Sequence, residues 1–214
     1  ATIWVAGQEW AGQPPNESAL NTIYCYELTL NGGDLDLNAA WSVVAQMPNQ
    51  LGVLSMAVLG RVDQPPLLFV GSERGLYRLG AGYQPELLPQ LIGNNRRIYD
   101  LSLAQAPGLP TRLLAATERG AWVLDVTSGQ NPTFDPAFDA NRPQQRCLSI
   151  TAMPSVDASN HAAWRIWAGV FGEGLYTFDY AGNQPQGAWR PLGLTFDVNG
   201  NPILPRAVYA LIAA

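Results

Sequence analysis

The stretch Leu68-Phe69-Val70-Gly71-Ser72-Glu73-Arg74-Gly75-Leu76-Tyr77-Arg78-Leu79 decides the fold, because Leu113-Leu114-Ala115-Ala116-Thr117-Glu118-Arg119-Gly120-Ala121-Trp122-Val123-Leu124 repeats its pattern without a gap. A third copy, Ile166-Trp167-Ala168-Gly169-Val170-Phe171-Gly172-Glu173-Gly174-Leu175-Tyr176-Thr177-Phe178, carries one extra turn residue. A fourth is split, with Ile3-Trp4-Val5-Ala6-Gly7 as its first half and Ile23-Tyr24-Cys25-Tyr26 as its second, separated by a long loop from Gln8 to Thr22. Each copy is an apolar run, a small residue, a tight acidic turn with glycine, and a second run opening on an aliphatic or aromatic pair. That order describes a β-hairpin in which glycine supplies positive φ and the small residue leaves room for close packing.

Upstream of the hairpins lie further apolar runs, Val53 to Val58, Ile98 to Leu103 and Cys147 to Ala152, and the chain finishes in a similar one, Val208 to Ala213. Downstream, Trp41 to Val44 and Trp189 to Leu192 read as outer strands, with weaker equivalents at Pro85 to Leu88 and Phe134 to Phe138. Four strands per unit predict an all-β propeller of four blades, each of four antiparallel strands. The blades run over 51–91, 98–139 and 147–194, with the remaining one built from 207–214 plus 1–46. In that shared blade Thr2 to Gly7 is a second strand and Ala207 to Ala214 a first strand, so the two ends of the chain tie one ring shut. A piece cut from a longer propeller, and a dimer of half-rings, stand as alternatives to this single domain over 1–214.

Composition agrees with that reading. Hydrophobic residues make up 47% of the 214 and charged ones only 14%, which argues for a folded core. Glycine (21) and proline (17) interrupt the chain so often that no long helix and no membrane span fits. The net charge of −5 is the reverse of a nucleic-acid footprint. All 12 cationic side chains are Arg, so Schiff-base and Lys-centred phosphate chemistry are excluded, and bidentate pairing with carboxylates is favoured. Cys25 and Cys147 stand in apolar strands without a partner spacing, which points to buried free thiols and leaves the compartment undetermined. His161, the single histidine, sits in a polar run expected to be a solvated hairpin tip. The run Asp197 to Asn201 reads as a turn rather than a calcium loop, and no metal or other cofactor is expected. The chain starts at Ala1 in strand-like sequence, so no targeting segment is expected.

The segments Phe69 to Tyr77 and Trp167 to Tyr176 resemble the blade core of the sialidase-like and two-component-regulator propellers, whose repeats read aromatic-x-Gly followed by Gly-Leu or Gly-Val and Tyr. The resemblance spans nearly the whole chain as a repeat pattern and implies fold. The Asp boxes of sialidases are absent, their Tyr/Glu nucleophile pair cannot be placed, and the Trp-Asp signature of WD repeats is missing.

In such a ring the hairpin turns and the segments leading into first strands share one face. That face would carry Glu9, Glu73, Glu118 and Glu173 from the turns, Arg74 and Arg119 beside two of them, and Arg97 and Arg146 from the lead-in segments, with Arg96, Arg142 and Arg206 nearby. Trp10, on the long first loop where no strand register requires an aromatic, joins them as a contact candidate. The strand aromatics Trp4, Phe69, Tyr77, Trp122, Trp167 and Tyr176 are expected to pack between sheets. The expected function is a non-catalytic scaffold that binds a protein partner or peptide segment on its polar face, as a domain of a larger protein or by self-association. A lectin-like or hydrolase-like propeller taking a carbohydrate or small anion is the second reading.

Overall fold

The computed structural model describes residues 2–7, 22–27, 30–31, 34–35, 41–48, 52–61, 63–88, 97–128, 132–157, 159–180 and 187–192. Every element among them is a strand or a single 3-10 turn, and the protein is all-β. Strands β1 (Thr2–Gly7) and β2 (Thr22–Glu27) pair antiparallel with Gly7 opposite Thr22. The short strands β3 (Leu30–Asn31) and β4 (Asp34–Leu35), not anticipated from sequence, pair only with each other. Strand β5 (Ser42–Gln46) adds to β2, giving a three-stranded sheet of order β1-β2-β5.

Three four-stranded antiparallel sheets follow, each in chain order. The second sheet comprises β6 (Val53–Arg61), β7 (Gln64–Ser72), β8 (Gly75–Leu79) and β9 (Pro85–Leu87). In the third are β10 (Ile98–Ala104), β11 (Arg112–Thr117), β12 (Gly120–Asp125) and β13 (Thr133–Phe134). The fourth holds β14 (Cys147–Val156), β15 (Ala162–Val170), β16 (Gly174–Tyr180) and β17 (Gly187–Leu192). The outer run expected from Phe134 to Phe138 is a strand only at its start. Pro136 has no N–H for a ladder, and the Asp135 carboxylate accepts from Ala137 N at 3.0 Å, closing a 3-10 turn over Pro136–Phe138.

Neighbouring sheets pack face to face, because their strands alternate side chains to both sides and both sides are apolar. Ile23, Leu68, Val70 and Leu79 join the first and second sheets. Phe69, Leu76, Ile98, Leu113 and Leu124 join the second and third, and Leu114, Val123, Ile150, Ile166 and Trp189 the third and fourth. Gly71, the small residue before the first of these turns, sits where its sheet comes close to the next. A Cβ on Gly71 would stand 2.8 Å from Ile98 Cγ2 of the next sheet.

The first strands carry matching irregularities. Register slips between Val53 and Ser55, between Ile98 and Asp100, and between Cys147 and Ser149, so Leu54, Tyr99 and Leu148 are bulged out of their ladders. The residue after each of the first two bulges reaches the first strand of the next sheet. Ser55 Oγ accepts from Leu101 N at 2.8 Å, and Asp100 Oδ2 accepts from Ile150 N at 2.9 Å. Three successive sheets are thus tied through their first strands by one repeated bond.

Candidate functional site

Pairing of Val53 with Ser72, Ile98 with Thr117 and Cys147 with Val170 puts the start of each first strand beside the following hairpin turn. Two backbone bonds hold the arrangement, from Glu118 N to Arg97 O at 3.1 Å and from Phe171 N to Arg146 O at 2.8 Å. Lead-in arginines and turn carboxylates therefore share one face, and the pairing runs between sheets. Arg97 Nη2 lies 3.1 Å from Glu73 Oε1, and Arg146 Nη2 lies 2.7 Å from Glu118 Oε1, so each lead-in guanidinium reaches back to the preceding sheet's turn. All four side chains are between 39% and 49% exposed. Pairs this open contribute little to stability. Arg97→Gln and Arg146→Gln are each expected to move the melting temperature by no more than about 2–4 °C; a larger fall by thermal denaturation would make these pairs joints between sheets.

Tyr99, lifted from its ladder by the bulge, joins the same row without having been singled out by sequence. Its hydroxyl donates to Glu118 Oε2, and the Arg97 and Arg146 guanidinium carbons each lie 5.9 Å from its ring centroid. Burial, reinforced by the Glu118 carboxylate, pushes the Tyr99 phenol above its ordinary value, while the Tyr99 hydroxyl, with help from Arg146, holds Glu118 below the usual carboxylate range. Tyr176 donates to Glu173 Oε2 at 2.7 Å, and burial together with that carboxylate pushes it up to about 12. Both phenols stay protonated. They act as hydrogen-bond donors to carboxylates.

The third turn departs from the first two. Val170 pairs with Gly174 where Ser72 pairs with Gly75 and Thr117 with Gly120, so Phe171 occupies the place of Glu73 and Glu118. The inserted residue displaces Glu173 toward its own sheet. Phe171 stays 48% exposed, with the Arg146 guanidinium carbon 5.6 Å from its ring centroid. Arg142, expected near the mouth, is instead buried against the molecule. It stacks 3.9 Å over the Trp122 ring, bonds Asp139 Oδ1 at 2.9 Å and donates to Ala121 O at 3.3 Å. The side chains of Arg74 and Arg119 are exposed and hold no ion pair among the described residues. Glu9, Trp10, Arg96, Arg206, the turn over 197–201 and the segment 207–214 lie outside the described residues.

Other reactive groups take no part in this face. Cys25 and Cys147 are buried free thiols, and burial pushes Cys147 up to about 12, which leaves it unreactive. His161 is exposed at a hairpin tip, where the Asp157 carboxylate accepts from His161 N at 2.9 Å and Ser159 N at 2.8 Å. Among the described residues no cluster of His, Cys, Asp and Glu could hold a metal ion. At the far end of the sheets a cleft of about 290 Å³ is lined by Arg61, Gln64, Gln105, Thr111, Thr127 and Ser128 among others, and none of its lining residues is a carboxylate or an aromatic. No protein-family model matches the sequence, and a comparison with curated proteins finds no match either.

Proposed function

We propose that the chain is a four-bladed β-propeller, similar to the sialidase-like and two-component-regulator types, that serves as a non-catalytic scaffold and binds a protein segment across its turn face. One observation carries the binding reading: a face on which the pairs Arg97–Glu73 and Arg146–Glu118 lie beside the exposed Phe171, with the bulged Leu54, 42% exposed, at the start of the second sheet's first strand. An apolar contact rimmed by charged and hydrogen-bonding groups is the anatomy of a protein interface.

Ring closure has its own support. The β1-β2-β5 sheet lacks, among the described residues, the first strand that the other three possess. The bond repeated from Ser55 to Leu101 and from Asp100 to Ile150 has a third acceptor position at Ser149, and the sequence places Leu211 in the register of Leu101 and Ile150. A closed ring of this length should scatter as one compact particle with a radius of gyration of about 17 Å. A monomer clearly larger than that by small-angle scattering, or a dimer of half-rings, would sink the closed ring.

The binding reading is tested by capture of partners from source lysate with wild type, Phe171→Asp and Val156→Asp. Val156 is 52% exposed at the opposite end. Phe171→Asp should lose a specific protein partner that Val156→Asp retains; equal retention by both would remove the turn face from consideration. The far cleft supports a second reading, since its amide and hydroxyl lining suits sugar hydroxyls and, without a carboxylate pair, binding without hydrolysis. Hits on a glycan array that Gln64→Ala and Gln105→Ala abolish would favour it.

A further inference from the structure

We infer that the segment taken by this face is acidic and is held by Arg74 and Arg119, an inference that rests on the protein-binding reading above. The two arginines are presented identically. In the first turn Ser72 Oγ accepts from Arg74 N at 3.1 Å and donates to Gly75 O at 3.0 Å; in the second, Thr117 Oγ1 accepts from Arg119 N at 3.1 Å and donates to Gly120 O at 2.9 Å. Both hydroxyl residues are fully buried. The backbone beneath each guanidinium is therefore fixed, and little ordering of the turn is left for a ligand to impose.

The charges on the face point to the sign of that ligand. Its described turn and lead-in residues supply four arginines, Arg74, Arg97, Arg119 and Arg146, against three glutamates, Glu73, Glu118 and Glu173. Glu73 is committed to Arg97, and Glu118 to Arg146 and Tyr99. Glu173 is bonded within its own sheet by Tyr176. Arg74 and Arg119 are left against the one carboxylate without an ion pair there, Glu173, an excess of one positive charge on a chain whose net charge is −5. A guanidinium fork binds carboxylates bidentately, and two forks on adjacent turns fit carboxylates spaced along one extended segment. Phe171 and Leu54, on the same face, give such a segment an apolar anchor.

A displayed library of random peptides, panned on the whole chain, should enrich Asp- and Glu-rich sequences. A synthetic peptide of the enriched type, titrated by fluorescence anisotropy, should bind at least tenfold more weakly to Arg74→Gln/Arg119→Gln than to wild type, with melting unchanged. Affinity should fall as salt rises past the range where the screening length drops below about 10 Å. A matched loss of two charges, Arg165→Gln/Arg190→Gln at exposed strand positions of the fourth sheet, should change binding less than twofold. Enriched peptides that lack acidic residues yet are lost in Phe171→Asp would overturn the inference and leave the binding reading standing. Peptides that bind elsewhere, or none at all, would overturn both. Heparin binding tighter than the acidic peptide, and lost in the double variant, would make the ligand a sulfated glycan and also overturn the inference.

Discussion

Gly120→Ala is expected to lower the melting temperature by roughly 6–16 °C, while Gly75→Ala at the equivalent turn position lowers it by about half as much or less. Both glycines have positive φ, +102° at Gly120 and +141° at Gly75, so any L side chain there is strained by about 1–2 kcal/mol. The surroundings separate them. A Cβ on Gly75 would stand 3.2 Å from Leu87 Cδ1, the far end of a side chain that can rotate away. A Cβ on Gly120 would stand 1.8 Å from the carbonyl oxygen of Pro143 and 2.9 Å from its carbonyl carbon, and a proline backbone packed against the turn has no comparable freedom. The total cost at Gly120 is then about 3–4 kcal/mol, among the larger single-residue effects.

The consequence reaches the turn face. Pro143 belongs to the segment that delivers Arg142 onto Trp122 and Arg146 onto Glu118, so displacing it also disturbs both contacts. Thermal denaturation of the two variants side by side checks the prediction. Equal losses would mean that the segment at Pro143 yields easily and that turn strain alone matters.

The fold was legible where its causes are local. The Ser/Thr-Glu-Arg-Gly turns were readable because a hydroxyl two residues before the arginine, and a glycine after it, are sufficient to close that turn in either copy. The same locality explains why the paired strands from Ile3 to Tyr26 appeared despite the long loop between them. Ion pairs between sheets were legible as a class, but which residues meet was not. Glu73 pairs with Arg97 rather than with adjacent Arg74, because contact is decided by how sheets stack, and stacking brings the next lead-in segment over the turn. Tyr99 escaped notice for a related reason: a strand sequence does not announce which residue a bulge will lift from the ladder, and without the bulge Tyr99 reads as one more alternating aromatic. Glu173 looked equivalent to Glu73 and Glu118 as the acidic residue of its turn, yet the extra residue hands that place to Phe171.

Asp100 separates two roles of a buried carboxylate, and its variants should behave oppositely. Asp100→Ala leaves Ile150 N–H, on a residue 1% exposed, without its acceptor at 2.9 Å and removes the partner of Ser55 Oγ. An orphaned buried donor costs about 1–3 kcal/mol, so a fall of roughly 2–3 kcal/mol, or about 4–12 °C, is expected. Asp100→Asn keeps an oxygen for Ile150 and turns an amide toward Ser55, whose hydroxyl can accept as well as donate. It should melt at or above wild type near neutral pH, because it dispenses with the burial of a charge. Burial outweighs the hydrogen bonds from Ile150, Leu101 and Ser55 and raises the Asp100 carboxyl above its ordinary value. Between the unfolded value near 3.9 and that raised value the folded state binds more protons than the unfolded state. The contribution of Asp100 to stability is then greatest below that window and falls as pH rises through it. The difference in melting temperature between Asp100→Asn and wild type should accordingly shift toward the variant across the same window and level off once pH is above it. A shift in the opposite direction would show that the three hydrogen bonds, and not burial, govern this carboxylate, and that the repeated bond between first strands is strengthened by its charge.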